Sequence, residues 1–286
     1  MRTIKEIDKP VYDPIDDLVT YRAIPTPSVS YIDPFLFLNH HGPQVYPSHN
    51  SGLPFGPHPH RGMETVTFII DGDIAHYDSS GQQSIIRAGG VQWMTAGRGL
   101  IHAEVSSDAF KQQGGPLEIL QLWVNLPSRS KMSEPFYKGL QKDSIPVLSK
   151  NGGQVSVQLI SGMLDGETGP FNSDSGVRLC LIRFEPGSFY SIDIPAEENV
   201  FFYLIRGRVE VNGQPVAKQS LVRFLNDDNR IAVSSGSESL LLLGNALPLG
   251  EPVVAQGPFV MNTREEIIQA YDDYRNGKFG TWNFSV

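Results

Sequence analysis

The chain has 286 residues, long enough for two domains that each bury a core. A formal charge of -8 and a pI near 5.4, with no Lys/Arg cluster, exclude the basic footprint of a direct nucleic-acid binder, and no apolar stretch reaches the length of a membrane span. Hydrophobic content of 40% beside 28 glycines and 21 prolines describes a turn-rich globular chain and points to an all-β class.

The opening MRTIKEIDKPVYDP lacks the apolar core of a secretory leader, so a cytoplasmic protein is expected. In DPFLFLNHHGP, His40 and His41 are expected as solvated side chains of a loop, with a pocket rim as the alternative. The next stretch, GPHPHRGMETVTFIIDGD, sets His58 and His60 one residue apart ahead of an alternating apolar run. Positions i and i+2 of a strand project from the same face, so both imidazoles point the same way. Alone, such a pair reads as a polar turn; further donors elsewhere would make it half of a metal site.

From Glu64 onward, the runs ETVTFII, IAHYD, SIIRA, VQWMT and LIHAEVS are separated by DGD, SSGQQ, GG and AGRG, the grammar of a sandwich or barrel. His76 and Asp78 are expected as a polar pair within one strand, beside a site at most. Trp93, Met94 and Trp123 are expected in the core. Arg98, between two glycines, reads as a turn contact, the alternative being a cation that orients an anionic substrate. His102 and Glu104 repeat the i, i+2 spacing. If their strand neighbours the His58/His60 strand in a barrel, the four side chains converge. Three imidazoles and one carboxylate suit a divalent transition metal, and octahedral geometry leaves two positions open.

The polar, Pro/Gly-broken stretch PSRSKMSEPFYKGLQKDSIPVLSKNGG is read as the connection between domains 1–135 and 136–286. Beyond it, NVFFYLIRGRVEVNG overlays ETVTFIIDGDIAHYD with Gly207 opposite Gly72, which signals an internal duplication. All 7 histidines precede residue 103, and IDIPAEE stands where the first half has HPHRG. The second domain is therefore expected to keep the fold without the metal ligands. Cys180 has no partner and is expected as a buried thiol. In NTREEIIQAYDDYRNGKFG, Thr263 and Glu266 predict a capping box, with Ile267, Ile268, Tyr271 and Tyr274 on one helix face and Gly277 closing the end.

The ordered motifs DPFLFLNHHGP, PFGPHPHRGMETVTFIIDGDIAHYDSSG, GGVQWMTAGRGLIHAE, LQLWVNLP and GPFVMNTREEI resemble those of the pirins, bicupins of the cupin superfamily, over nearly the whole chain from residue 33. The resemblance implies two tandem jelly-roll β-barrels with a short C-terminal helix. It also implies one metal in the first barrel on His58, His60, His102 and Glu104, with iron(II) the expected ion. Manganese, nickel, copper and zinc fit the same donors. The general cupin pattern G-x5-HxH-x3-E runs through Gly52 and Glu64, but the pirin pattern gives the ligand role to Glu104 and leaves Glu64 beside the site. The implied activity is 2,3-dioxygenation of flavonols such as quercetin with release of carbon monoxide. A phenolic substrate and dioxygen are the partners, and Glu104 is the base that takes the 3-hydroxyl proton. The alternatives are a metal-containing redox sensor that binds an enzyme or transcription factor, the role associated with eukaryotic pirins, and a cupin-type isomerase or lyase.

Overall fold

Alternating apolar runs between turns produce what they predict. In a computed structural model, which describes residues 1–285, the chain forms two units, each built from a seven-stranded and a four-stranded antiparallel sheet. The all-β, two-cupin architecture with a short C-terminal helix is thereby met.

One unit comprises Tyr12–Arg22, Phe35–Ser144 and the residues from Gly250 onward. Its larger sheet has Val91–Thr95, Met63–Asp71, Gly115–Asn125 and Phe35–Tyr46 as adjacent strands, and its smaller sheet runs Phe55–His60, Leu100–Val105, Asp73–Asp78, Gln83–Arg87. Ile69, Ile74, Ile86, Leu117 and Ile119 form an apolar cluster inside it with Tyr46, Leu53 and Phe110. Thr67, Gln92, His102 and Glu104, also buried in this unit, are polar.

The other unit comprises Met1–Val11, Ala23–Pro34 and Ile145–Leu249. Its four-stranded sheet, Ser188–Asp193, Arg230–Ser235, Arg208–Val211, Gln214–Ala217, repeats the strand order of its counterpart. Gly72 and Gly207 end equivalent strands with φ of 84° and 86°, a backbone conformation that a Cβ disfavours. The duplication also locates a chemical difference. Thr65, Thr67 and Ile69 overlay Val200, Phe202 and Leu204, and those three join Cys180, Ile182, Ile192, Ile231 and Val233 in a continuous apolar core.

The units depart from a division at residue 135. The stretch read as a connection contains the strand Phe136–Leu140, which pairs with Val91–Thr95, and Val147–Lys150, which pairs with Val155–Ser161. Each covers a sheet edge whose backbone groups would otherwise lack partners. The N-terminal strand Ile4–Asp8 pairs with Ser220–Phe224 and so belongs with the second barrel, reinforced by the buried pair of Arg223 Nε with Asp8 at 2.6 Å. The C-terminal helix Arg264–Arg275 has the expected capping box at Thr263, with Gly277 at φ 73° beyond its end. Ile267 and Ala270 are buried, whereas Ile268 is exposed, because an i, i+3 stripe defines the packed face. Among the described residues no helix is long and apolar enough to cross a membrane.

Candidate metal centre

The strands Phe55–His60 and Leu100–Val105 are antiparallel neighbours, with His102 opposite His58 and Leu100 opposite His60. That register brings three imidazoles together. His58, His60 and His102 each offer a nitrogen, and these atoms lie within 4.8 Å of one another. Ring centroids are 4.4 Å apart for His58 and His102, 4.9 Å for His58 and His60, and 5.0 Å for His60 and His102.

The tautomers suit metal binding. His58 Nδ1–H donates to the Gly56 carbonyl at 2.7 Å and His60 Nδ1–H to the Pro258 carbonyl at 3.1 Å, which leaves each Nε2 with a free lone pair. His102 is 1% exposed, and neither ring nitrogen has a hydrogen-bond partner. A buried imidazole without partners is costly. A divalent ion on the three nitrogens would satisfy it, so the residues fit a metal. Burial, reinforced by the neighbouring imidazoles, holds His60 and His102 well below the usual imidazole range and keeps them neutral.

Glu104 stands outside this group of nitrogens. The pairing of its strand with Phe55–His60 shifts register between His102 and Glu104, so that Phe55 faces Glu104. Its carboxylate is buried and clamped from the larger sheet. Oε1 accepts from Thr67 Oγ1 at 2.7 Å and from Gln92 Nε2, while Oε2 accepts from Gln121 Nε2. Tyr137 orients the Gln92 amide by donating to its Oε1 at 3.2 Å. The same ring stacks on His76 at 3.8 Å and 7°. These partners leave one signal in the sequence: Thr67, Gln92 and Gln121 are each a polar residue flanked on both sides by apolar ones within a strand.

The remaining expectations divide. His76 Nε2–H donates to Asp78 at 3.0 Å, the predicted polar pair, with its ring 5.5 Å from His102. Glu64 is buried and accepts from Thr95 Oγ1 at 2.8 Å. Arg98 is exposed and pairs with Glu134 at 2.8 Å, an ordinary turn contact. Trp93 and Met94 are core residues.

His40 and His41 are not in a loop. They lie inside the strand Phe35–Tyr46, fully buried because that strand pairs with Gly115–Asn125 within the larger sheet. His40 Nε2 contacts Glu118 at 2.9 Å and His41 Nδ1 contacts Thr20 Oγ1 at 2.8 Å. Trp123 meets its expectation in part: it is half-buried, packed against the buried Leu36, Met63 and Val260. It stacks on Phe37 at 4.5 Å and meets the His60 ring edge-on at 5.2 Å. Two residues from Gln121, it shares that strand's inner face.

Comparison with known proteins follows the same outline. Residues 17–124 match a family model described as Pirin, and residues 179–280 one described as Pirin C-terminal cupin domain. A pirin-like protein of Caulobacter vibrioides is 37% identical over 90% of this chain and 91% of its own length. A solved structure named quercetin 2,3-dioxygenase, from Acinetobacter baumannii, superposes with a TM-score of 0.92 at 30% identity, covering 98% of this chain and 99% of that one. A bacterial pirin from Escherichia coli, solved in complex with nickel(II), shares the fold with a TM-score of 0.68 at 21% identity, over 85% of this chain and 99% of its own.

Proposed function

Because the chain belongs to the pirin family, we propose that it is a metal-dependent dioxygenase that opens the heterocycle of flavonols such as quercetin, acting in the cytoplasm. The observation that carries this reading is the buried, partnerless His102 converging with His58 and His60. Those three residues would hold one divalent ion per chain, with Glu104 completing the set. Iron(II) is the expected ion, and manganese, nickel, copper and zinc suit the same donors. A metal bound there supplies Lewis acidity toward a phenolate and, as iron, a site for dioxygen.

The protein's own residues supply the rest. Glu104 takes the proton of the flavonol 3-hydroxyl, and Thr67, Gln92 and Gln121 hold its carboxylate in one orientation for that transfer. Trp123, stacked on Phe37 and touching the His60 ring, offers an aromatic face to a flat phenolic ring. Both atoms of dioxygen enter the ester product, and one ring carbon leaves as carbon monoxide.

The test is oxygen uptake with quercetin by iron-loaded protein, with carbon monoxide measured in parallel. The proposal expects one carbon monoxide per dioxygen, and expects His58→Ala and His102→Ala to lose both metal and turnover. Metal-loaded protein inert toward flavonols would contradict the dioxygenase reading and favour a metal-containing partner-binding protein. Turnover by either metal-free variant would move the chemistry elsewhere in the chain.

A further inference from the structure

The Pro258 carbonyl that orients His60 comes from a segment nearly two hundred residues downstream in the chain. Its approach is built rather than incidental. Arg61 bridges in parallel to Phe259, and Val260 N–H donates to the Arg61 carbonyl at 3.1 Å. Gly62, with φ 79°, lets the strand Phe259–Met261 come this close, because a Cβ there would lie 2.0 Å from the Val260 oxygen. Buried Lys131 then ties the two backbones together, donating to the Gly62 carbonyl at 2.9 Å and the Val260 carbonyl at 3.1 Å.

The same segment reaches the other histidine strand. Arg61 Nη1 pairs with Asp273 on the C-terminal helix at 2.9 Å, and its guanidinium lies 4.7 Å over the Phe279 ring. That ring seats against Gly99, where a Cβ would meet it at 2.6 Å. Ser79 Oγ donates to the Phe279 carbonyl at 2.6 Å and accepts from Ile101 N–H at 3.0 Å, one residue before His102. His58, in contrast, is oriented by Gly56 within its own strand.

We propose that the segment from Gly250 onward positions the metal centre, with Pro258 as the positioning residue for His60, so that docking of the C-terminal helix and metal affinity are coupled. This inference rests on the reading of His58, His60 and His102 as metal ligands. A carbonyl on Nδ1–H fixes the tautomer and ring angle of a ligating histidine, and loss of such a partner typically lowers metal affinity about 10–100-fold.

Two variants loosen the segment without touching a ligand: Phe279→Ala removes its seat on Gly99, and the milder Asp273→Asn weakens the Arg61 pair while leaving the packing intact. Each is loaded with Co(II). Affinity is measured by chelator competition, and the hyperfine-shifted ring N–H protons of His58 and His60 are followed for exchange with solvent. The expected result is a fall in Co(II) affinity of about 10–100-fold in Phe279→Ala, smaller in Asp273→Asn. The His60 N–H should exchange faster while the His58 N–H keeps its parental rate. Parental affinity and exchange in folded variants would overturn the coupling, as would equal acceleration of both protons, which signals general loosening. If the parent protein shows no Co(II)-shifted imidazole protons, the ligand assignment itself fails and the coupling with it.

Discussion

His41 illustrates how burial sets chemistry at a single residue. Its ring packs near Phe55 with Nδ1 on Thr20 and Nε2 unpartnered, and desolvation, helped by neighbouring His40, pushes its pKa down to about 3. The folded state therefore holds it neutral, while the unfolded chain protonates it near the ordinary value of about 6.5. Stability from this residue is present above that value and is lost as pH falls from there toward 3. His41→Phe fills the same space without a titrating group and gives up the Thr20 hydrogen bond, worth about 1 kcal/mol. Chemical denaturation should show the variant less stable than the parent at pH 7, with the gap closing or reversing near pH 4.5. A gap independent of pH would contradict the buried neutral state.

At Glu104 the clamp sharpens the expected phenotype. Glu104→Gln puts an amide N–H against donors that now converge on a carboxylate, so metal binding weakens but three histidines still hold the ion at raised concentration. Turnover should fall by about 10²–10⁴-fold at full metal loading, with partial recovery at high pH where the 3-hydroxyl ionises unaided. Parental turnover at neutral pH would remove the base role. The histidine pairs were legible because i, i+2 spacing fixes a strand face whatever surrounds it. The Pro258 carbonyl was not, because a backbone acceptor leaves no trace in residue identity. His40 and His41 misled because two adjacent histidines before Gly-Pro look like a loop, although a neighbouring strand and Glu118 bury them.

At the scale of elements, the C-terminal helix was readable from its first turn, since Thr263 accepts from Glu266 N–H and the Glu266 side chain reaches back. Thr263→Ala removes one half of that box and should cost about 1 kcal/mol. Hydrogen exchange should show it as faster exchange of the helix amides, with those of the strand Asn199–Arg206 unchanged. Uniform change across the chain would show that the helix is not a separate cooperative element. The strands Phe136–Leu140 and Val147–Lys150 were hidden in a polar stretch because edge strands are selected by the partner they cover more than by apolar content. Tyr137 lies on the first of these, which is why its stacking on His76 also went unseen.

For the whole molecule, the duplication explains why, among the described residues, one barrel gathers three histidines while the other fills the matching strands with apolar side chains. Thr67, which holds Glu104, is replaced by Phe202, and the strand equivalent to Phe55–His60 puts Ile192 into the core. Phe202→Ala should therefore cost about 3–5 kcal/mol in thermal or denaturant unfolding of its own unit and leave metal content unchanged. Loss of metal without loss of stability would break that division of roles. The repeat was visible in sequence through its paired glycines, but the exchange of terminal segments was not. Pairing of Ile4–Asp8 with Ser220–Phe224, and return of the residues after Gly250 to the first barrel, depend on which sheet edges and grooves are open, and local periodicity carries no record of that. The three-histidine cluster is central to the proposed chemistry, and its most direct test is an anaerobic calorimetric titration of the metal-free protein with iron(II), alongside His102→Ala. One tight equivalent per chain for the parent, and none for the variant, is the predicted result; two equivalents, or undiminished binding by His102→Ala, would contradict it.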